Sequence, residues 1–188
     1  GCMKPFSKDD TSKLYQAMRS AGKWLDIFQK KMPVDGQKNF TSSQLQERVE
    51  LYFEKVETLD AKIISAELKN RLIEKTKSVL AKFTEGDFIM SAKHNDFAPW
   101  NLMKSENSVI GFDYADVEYD SVYYDVYHFT RALNTFKLKP IKKVTVIENC
   151  KREFLEGFGR DIPLNHPTRI YFNIFFSLER IQMLLRAR

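Results

Sequence analysis

Two short segments in the middle of the sequence contain side chains that could bind a metal ion and accept a proton. The first runs from His94 to Asn101 and includes Asp96, and the second runs from Val109 to Tyr114 and includes Asp113. Pro99 lies between Asp96 and Asn101, so a loop is expected there. Carboxylate and amide oxygens suit Mg²⁺, which takes few protein ligands and shares its remaining coordination with phosphate and water. A carboxylate that does not bind the metal can accept the proton of a hydroxyl group.

The residues between these segments predict the turn that would bring them together. Short runs at 101–104 and 108–114 are separated by Ser-Glu-Asn, and Ser and Asn are typical of turns. We therefore expect a small β-hairpin that returns the chain towards the first loop. The two carboxylates and the amide oxygen should then converge in one cleft.

The spacing of these residues resembles the catalytic loop and metal motif of protein-kinase-like phosphotransferases. The shared pattern is His-x-Asp-x-x-x-x-Asn, followed by an Asp at the end of a hairpin. The string Asp-Phe-Ala-Pro-Trp-Asn at 96–101 resembles the aminoglycoside phosphotransferase and choline kinase group more than protein kinases, which usually carry Arg after the His and Lys two residues after the Asp. The segments 21–25 and 124–129 also resemble that group. The likeness is strongest from about residue 88 to 133.

The resemblance implies a role for each residue of the expected cleft. Asp96 would orient the acceptor hydroxyl and accept its proton, whereas Asn101 and Asp113 would bind Mg²⁺. Met103 and Phe112, on the two hairpin strands, would form an apolar floor beneath the adenine of ATP. Simple core packing of these two side chains is the alternative, and the sequence leaves it open.

The remaining residues of these segments have structural interpretations. The resemblance implies that His94 hydrogen-bonds to the backbone near Asp113, and that Asp125 bonds to the catalytic loop from the start of its helix. Trp100 is expected to pack in the core, with stacking on the substrate as the alternative. His128 has no assigned role, because isolated histidines are usually satisfied by local contacts or face solvent.

Two further features near the motif bear on the backbone and on the substrate. Asn95 stands where the group commonly has Gly, and Asn tolerates a positive φ, so the same backbone remains possible. Asp116, Glu118 and Asp120 follow the metal motif as an acidic segment, which either contacts a cationic substrate or is solvated.

Helices are predicted on both sides of the hairpin. Apolar residues recur at steps of three and four, and Thr41-Ser42-Ser43-Gln44 is a capping-box pattern. The predicted helical stretches are Leu14–Phe28, Leu45–Val56, Leu68–Phe83, Val122–Leu133, Lys142–Phe158 and Thr168–Leu185. Gly86 is expected to follow the end of the third. The predicted fold class is α+β and predominantly helical, a single domain over residues 1–188 with the architecture of a kinase-like C-terminal lobe.

Composition excludes several other classes of protein. The chain has 188 residues, of which 43% are apolar, and carries a net charge of +5. Cys2 and Cys150 are too few for a disulfide scaffold, and they are compatible with a cytoplasmic protein. The lysines are spread along the sequence rather than clustered, which argues against a nucleic-acid partner. No stretch approaches the roughly 18 apolar residues of a membrane span.

The sequence also departs from a complete member of the resembled group. Such a protein has an N-terminal lobe with a sheet, a phosphate-covering loop and a Lys that binds the α and β phosphates, and no such segment is recognised here. Gly157-Phe158-Gly159 is expected to be a helix end. The Gly1-Cys2-Met3 start favours a piece of a longer chain, called the parent protein below. The isolated chain is expected to be inactive.

The leading functional hypothesis is transfer of the γ-phosphoryl group of ATP, with Mg²⁺, to a hydroxyl of a small molecule. The acceptor class is a sugar, an amino alcohol or a glycan. The first alternative is a pseudokinase-type module that binds without turnover. The second is a helical adaptor in which the motif is a coincidence, and this alternative predicts no hairpin at 101–114.

Overall fold

The computed structural model describes residues 8–32, 39–104, 109–112, 118–136, 144–159 and 166–187. The chain divides into two compact units. Unit 1 comprises Gly1–Asp35 and Ser91–Ile162, and unit 2 comprises Gly36–Met90 and Pro163–Arg188. Asp113 and Asp116 lie outside the described residues. The prediction of a single domain over 1–188 stays a prediction.

Helices dominate both units. In the described ranges the elements are, in order, α1 (Lys8–Lys31), α2 (Ser42–Leu59), α3 (Ala66–Leu80), β1 (Met90–Lys93), β2 (Leu102–Lys104), β3 (Val109–Gly111), β4 (Glu118–Ser121), α4 (Tyr124–Thr135), α5 (Val144–Phe158) and α6 (Pro167–Arg186). Short 3₁₀ turns cover Glu85–Phe88 and Pro99–Asn101. The predominantly helical α+β prediction is confirmed.

Unit 1 is organised around the close crossing of α1 and α5. A Cβ added to Gly157 would collide with the backbone carbonyl of Arg19, and one added to Gly22 would collide with that of Phe154. Only glycine lets the two backbones approach so closely. The core beneath this crossing is aromatic, because Phe154 stacks on Phe129 with ring centroids 4.2 Å apart.

Unit 2 is a packed set of three helices, α2, α3 and α6. The predicted capping box at the start of α2 is present, since Gln44 N–H donates to Thr41 Oγ1 and Thr41 N–H donates to Gln44 Oε1. The predicted stripe from Leu45 to Val56 is buried. The fully buried Tyr171 of α6 donates its hydroxyl to the Leu45 carbonyl at 3.1 Å. Helix α3 ends at Leu80, and Gly86 lies in the following 3₁₀ turn rather than marking the end of the helix.

The predicted hairpin is confirmed by the pairing of β2 with β3. The strands are antiparallel, with Leu102 opposite Gly111 and Met103 opposite Ile110. A Cβ at Gly111 would lie 2.7 Å from the Trp24 ring, so glycine lets the hairpin seat on α1. The pairing contradicts the helical-adaptor alternative in its prediction of no hairpin.

A second strand pair, β1 with β4, was not predicted. Each of these strands has only four residues, and neither shows the alternation of apolar and polar residues that identifies a strand in sequence. The pair matters for the site, because β1 leads directly into the loop that begins at His94.

Candidate active site

The loop after β1 has a backbone that few residues can adopt. Asn95 has a φ of 76°, in the left-handed region, and is the only non-glycine residue with a positive φ among those described. Asn is one of the few residues with a side chain that accept this conformation readily. Asn95, which stands where the resembled group commonly has Gly, can therefore adopt this loop backbone. The same conformation directs the chain towards Asp96.

Asp96 and Asn101 are brought together by the 3₁₀ turn between them. The Asn101 amide nitrogen donates to Asp96 Oδ2 at 2.8 Å and to the Asp96 carbonyl at 2.9 Å. Asn101 is buried, whereas the Asp96 side chain is 55% exposed. Both hydrogen bonds use the amide nitrogen, so the amide oxygen is the atom of Asn101 that could bind a metal ion. The loop thus offers a fixed, accessible carboxylate beside a candidate metal ligand.

His128 is a residue near this carboxylate that the sequence analysis left without a role. Its Nε2 lies 3.9 Å from Asp96 Oδ1, and its Nδ1 lies 3.2 Å from the Phe97 carbonyl oxygen. Its ring is parallel to that of Tyr124, with centroids 6.3 Å apart. Asp125 and His128 are three residues apart on α4, so they share a helix face. That spacing was the sequence signal available for finding His128.

Asp125 supports the loop from beneath. Its Oδ2 accepts a hydrogen bond from the His94 backbone N–H at 2.7 Å, and its side chain is fully buried in the first turn of α4. Burial raises the pKa of the Asp125 carboxyl to about 7, reinforced by the charge of Asp120 and opposed by the His94 N–H and the charge of Lys93. The contact to the loop is the one that the resemblance implied.

The His94 ring lies in an aromatic cage. It contacts Trp24, Phe28 and Phe97, with centroid separations of 5.8, 6.1 and 5.4 Å, and is almost completely buried. This environment fits a structural residue better than a proton acceptor in contact with solvent. The predicted hydrogen bond to the backbone near Asp113 concerns a segment outside the described residues.

One face of the hairpin presents apolar side chains to solvent. Met103 is 61% exposed and Ile110, its cross-strand partner, is 51% exposed. Phe112 follows on the same side of the strand and is 39% exposed. Neither residue is buried, which disfavours the core alternative, and the adenine floor stays a prediction.

Trp100 corrects another expectation. Its residue exposure is 54%, so the prediction of core packing is wrong. The 3₁₀ turn Pro99–Asn101 explains the difference, because the turn directs Asn101 inward to Asp96 and leaves the preceding side chain outside. A large aromatic residue in sequence favours the core, but a tight turn overrides that preference.

Part of the acidic segment, Glu118 to Asp120, lies in strand β4 beside Lys93. Lys93 Nζ lies 2.8 Å from Glu118 Oε2, 3.7 Å from Asp120 Oδ2 and 4.5 Å from the Tyr124 ring centroid. The hydrogen bond from Lys93, and then its charge, lower the pKa of Glu118 below its ordinary value. Asp120 is buried beside Lys93, so the solvated alternative is wrong for Asp120, whereas Glu118 is 56% exposed and remains solvated.

The described residues give no complete metal centre. Within those ranges, no group of three or more His, Cys, Asp or Glu side chains could hold a metal ion. Asp113, the second predicted ligand, is outside them, so its convergence with Asp96 and Asn101 stays a prediction.

No helix in the described ranges is long and apolar enough to cross a membrane.

Solved structures resemble this chain over nearly its whole length. Amicoumacin kinase in complex with AMP-PNP, Ca²⁺ and Ami is 14% identical, with a TM-score of 0.54, and the match covers 98% of this chain and 55% of that one. Choline kinase from Cryptosporidium parvum Iowa II is 15% identical, with a TM-score of 0.52, and the match covers 94% and 60%. The chain thus spans 55–60% of the length of these two structures.

Sequence comparison alone does not detect this likeness. No protein-family model and no curated protein sequence matches the chain. At 14–15% identity the likeness is one of fold. The chain has the fold of a kinase-like C-terminal lobe, the architecture shared with these small-molecule kinases.

Proposed function

We propose that this chain is the catalytic C-terminal lobe of an ATP-dependent phosphotransferase that acts on a hydroxyl group of a small molecule. The acceptor is a sugar, an amino alcohol or a glycan. The γ-phosphoryl group moves from ATP to the acceptor oxygen, and Asp96 accepts the hydroxyl proton. Positioning and charge neutralisation by Mg²⁺ supply most of the catalysis in this kind of reaction.

The Asp96–Asn101 pair is the observation that carries the proposal. A carboxylate more than half exposed is held by an amide at 2.8 Å, and the amide oxygen remains as a candidate metal ligand. In the proposed site the same asparagine would orient the proton acceptor and bind Mg²⁺, together with Asp113.

The exposed hairpin face supports a nucleotide site. Met103, Ile110 and Phe112 present a contiguous apolar surface on β2 and β3 that would take the flat adenine ring of ATP. The amicoumacin kinase structure contains the ATP analogue AMP-PNP and a divalent cation, which supports ATP and a divalent metal as the cofactors proposed here.

The remaining nucleotide contacts would come from outside this chain. Since the chain spans 55–60% of the two kinases, we propose that the parent protein supplies an N-terminal lobe with the phosphate-covering loop and lysine. The proposed location is the cytoplasm, and the proposed partners are the acceptor molecule and that lobe, with no nucleic acid.

The test is acceptor-dependent ADP release by the parent protein with Mg²⁺-ATP. Sugars, amino alcohols and glycans are screened in parallel, and Asp96→Asn is the matched control because it keeps the shape and removes the proton acceptor. The expected result is phosphorylation of one acceptor class that is lost in Asp96→Asn. Nucleotide binding without turnover on any acceptor would favour the pseudokinase alternative, and absence of both would overturn the proposal.

A further inference from the structure

Lys93, the last residue of β1, is a lysine whose side chain is largely buried. The side chain is only 11% exposed, although lysines normally extend their ammonium groups into water. Its Nζ lies 2.8 Å from Glu118 Oε2 and 3.7 Å from Asp120 Oδ2, both on β4. The same nitrogen lies 4.5 Å from the ring centroid of Tyr124, within the range of a cation–π contact. One side chain therefore joins the end of β1 to β4 and to the first residue of α4.

The residue that follows Lys93 is anchored to the same part of the chain. The His94 backbone N–H donates to Asp125 Oδ2 at 2.7 Å, and Asp125 is the second residue of α4. Two consecutive residues thus hold the start of the loop, one through an ammonium group on β4 and one through an amide on α4. Asp96 lies two residues beyond the second anchor, after the left-handed conformation of Asn95. A shift of β1 relative to β4 would therefore displace Asp96 as well.

The positive charge of Lys93 also acts on the second anchor. Burial raises the pKa of the Asp125 carboxyl group. The hydrogen bond from the His94 N–H lowers that pKa, the charge of Asp120 raises it and the charge of Lys93 lowers it. An ionised carboxylate accepts a stronger hydrogen bond than a neutral carboxyl group does. Lys93 therefore favours the form of Asp125 that holds the His94 N–H most strongly.

We propose that Lys93 is a positioning residue for the loop that begins at His94. It tethers β1 to β4 and supports the bond between Asp125 and the His94 N–H, and both contacts fix the place of Asp96. The inference rests on the proposed function. Phosphoryl transfer depends on accurate placement of the acceptor hydroxyl, and a displacement of about 1 Å caused by a distant substitution can lower the rate about 10²-fold.

Kinetics of the parent protein test this role with two substitutions at one position. Lys93→Met removes the charge and keeps most of the side-chain length, whereas Lys93→Arg keeps the charge. Lys93→Met should lower kcat by about 10–100-fold. KM for nucleotide should change little, because the hairpin proposed to bind the nucleotide seats on α1. Lys93→Arg should recover most of the loss, and either an unchanged kcat in Lys93→Met or no recovery in Lys93→Arg would overturn the proposal.

Lys69 is a matched control for the cost of removing an ion-paired lysine. Its Nζ also lies 2.8 Å from a glutamate oxygen, Glu57 Oε2, and 6.0 Å from the ring centroid of Phe53. These contacts join α2 to α3 in unit 2. Lys69→Met should leave kcat unchanged. If Lys69→Met and Lys93→Met lower kcat alike, the effect is one of general stability and the proposal fails.

Hydrogen exchange of the His94 amide measures the proposed link without measuring turnover. In the parent protein this N–H should exchange roughly 10-fold faster in Lys93→Met, because a hydrogen bond to a charged group is weakened. The rate should stay at the wild-type value in Lys93→Arg and in Lys69→Met. An unchanged rate in Lys93→Met would overturn the proposal.

The two assays distinguish failure of this inference from failure of the proposed function. If the wild-type parent protein transfers no phosphoryl group to any acceptor, the proposed function fails. If transfer occurs but Lys93→Met changes neither kcat nor the exchange of the His94 amide, the role of Lys93 alone fails.

Discussion

The Asp96 carboxylate lies between the buried Asn101 amide and the mostly buried His128 ring, and each of these neighbours contacts the backbone of the loop. Asn101 is placed by the 3₁₀ turn and His128 by its contact to the Phe97 carbonyl. A carboxylate held in this way keeps its orientation when water is replaced by substrate. Preorganisation of that kind is what phosphoryl transfer demands of a protein.

The proposed roles of Asp96 and Asp113 predict different kinetic defects. Asp96→Asn in the parent protein should lower kcat by about 10²–10⁴-fold with little change in nucleotide affinity, because the proposed role of Asp96 is towards the acceptor and not the phosphates. Asp113→Asn should weaken both metal dependence and nucleotide binding. Steady-state kinetics and calorimetry with Mg²⁺-ATP separate the two. Loss of nucleotide binding in Asp96→Asn alone would reverse the assignment.

Asp125 predicts a pH dependence of stability. Its folded-state pKa of about 7 lies above its ordinary value of 3.8, so the folded state binds this proton more tightly than the unfolded state. Its contribution is complete below about pH 4 and is lost as the pH rises to about 7. One pKa unit corresponds to about 1.4 kcal/mol, so the loss is a few kcal/mol.

Asp125→Asn keeps an oxygen for the His94 N–H and removes the titration. Urea unfolding of both proteins from pH 4 to 8 measures the difference in free energy of unfolding. Wild type should lose stability relative to Asp125→Asn across that range. A difference that is constant with pH would show that Asp125 does not titrate there.

Individual residues were predictable where a motif fixed their spacing. The Asp96–Asn101 contact and the Asp125 contact to the loop follow from the resemblance. Trp100 and His128 were not predictable, because their surroundings come from a turn and from a helix face that only the folded chain defines. Residue type alone placed Trp100 in the core and left His128 without a role.

At the scale of elements, the crossing with α5 holds helix α1 in place. Helix α1 carries Trp24, against which Gly111 of the hairpin packs. The crossing depends on Gly22 and Gly157, where a Cβ would strike backbone atoms. Gly157 is expected from the sequence to be part of a helix end, and Gly159, with a φ of 72°, does fall just after α5. The packing role of Gly157 was hidden because it depends on a helix more than a hundred residues away.

Gly157→Ala should destabilise the protein by about 1–3 kcal/mol or more, because the collision involves backbone and cannot be relieved by a rotamer change. Gly86→Ala is the matched control, since its nearest neighbour would be Thr84 Oγ1 at 3.9 Å. Urea unfolding measures both. Similar small effects at the two sites would mean that the α1–α5 crossing adapts easily.

Elements with regular periodicity were predicted well. The capping box, the buried stripe of α2 and the antiparallel hairpin all follow from local sequence. The β1–β4 pair was missed, because a four-residue strand joined to a partner far along the chain leaves no local pattern. The helices and the hairpin around the site were therefore predicted from the sequence, whereas strand β1, which leads into the loop at His94, was not.

At the scale of the whole molecule, the chain spans 55–60% of the two kinases that it resembles. We expect this chain alone to bind Mg²⁺-ATP weakly and to have negligible kinase activity, because the proposed phosphate-covering loop and lysine lie outside it. Calorimetry with Mg²⁺-ATP is the measurement. Micromolar affinity of the isolated chain would show that the nucleotide site is complete within these 188 residues.

The two tryptophans make the site spectroscopically accessible. Trp24 stacks on Phe28 and Phe97, with centroids 5.2 and 5.5 Å away, whereas Trp100 is 54% exposed beside Asn101. The chain has no other tryptophan, so its intrinsic tryptophan fluorescence comes from the packed Trp24 ring and the exposed Trp100 ring. Acrylamide should quench the red-shifted Trp100 signal first, and an acceptor that covers the loop should protect it. Trp100→Phe would leave only Trp24, whose emission should change when unit 1 unfolds.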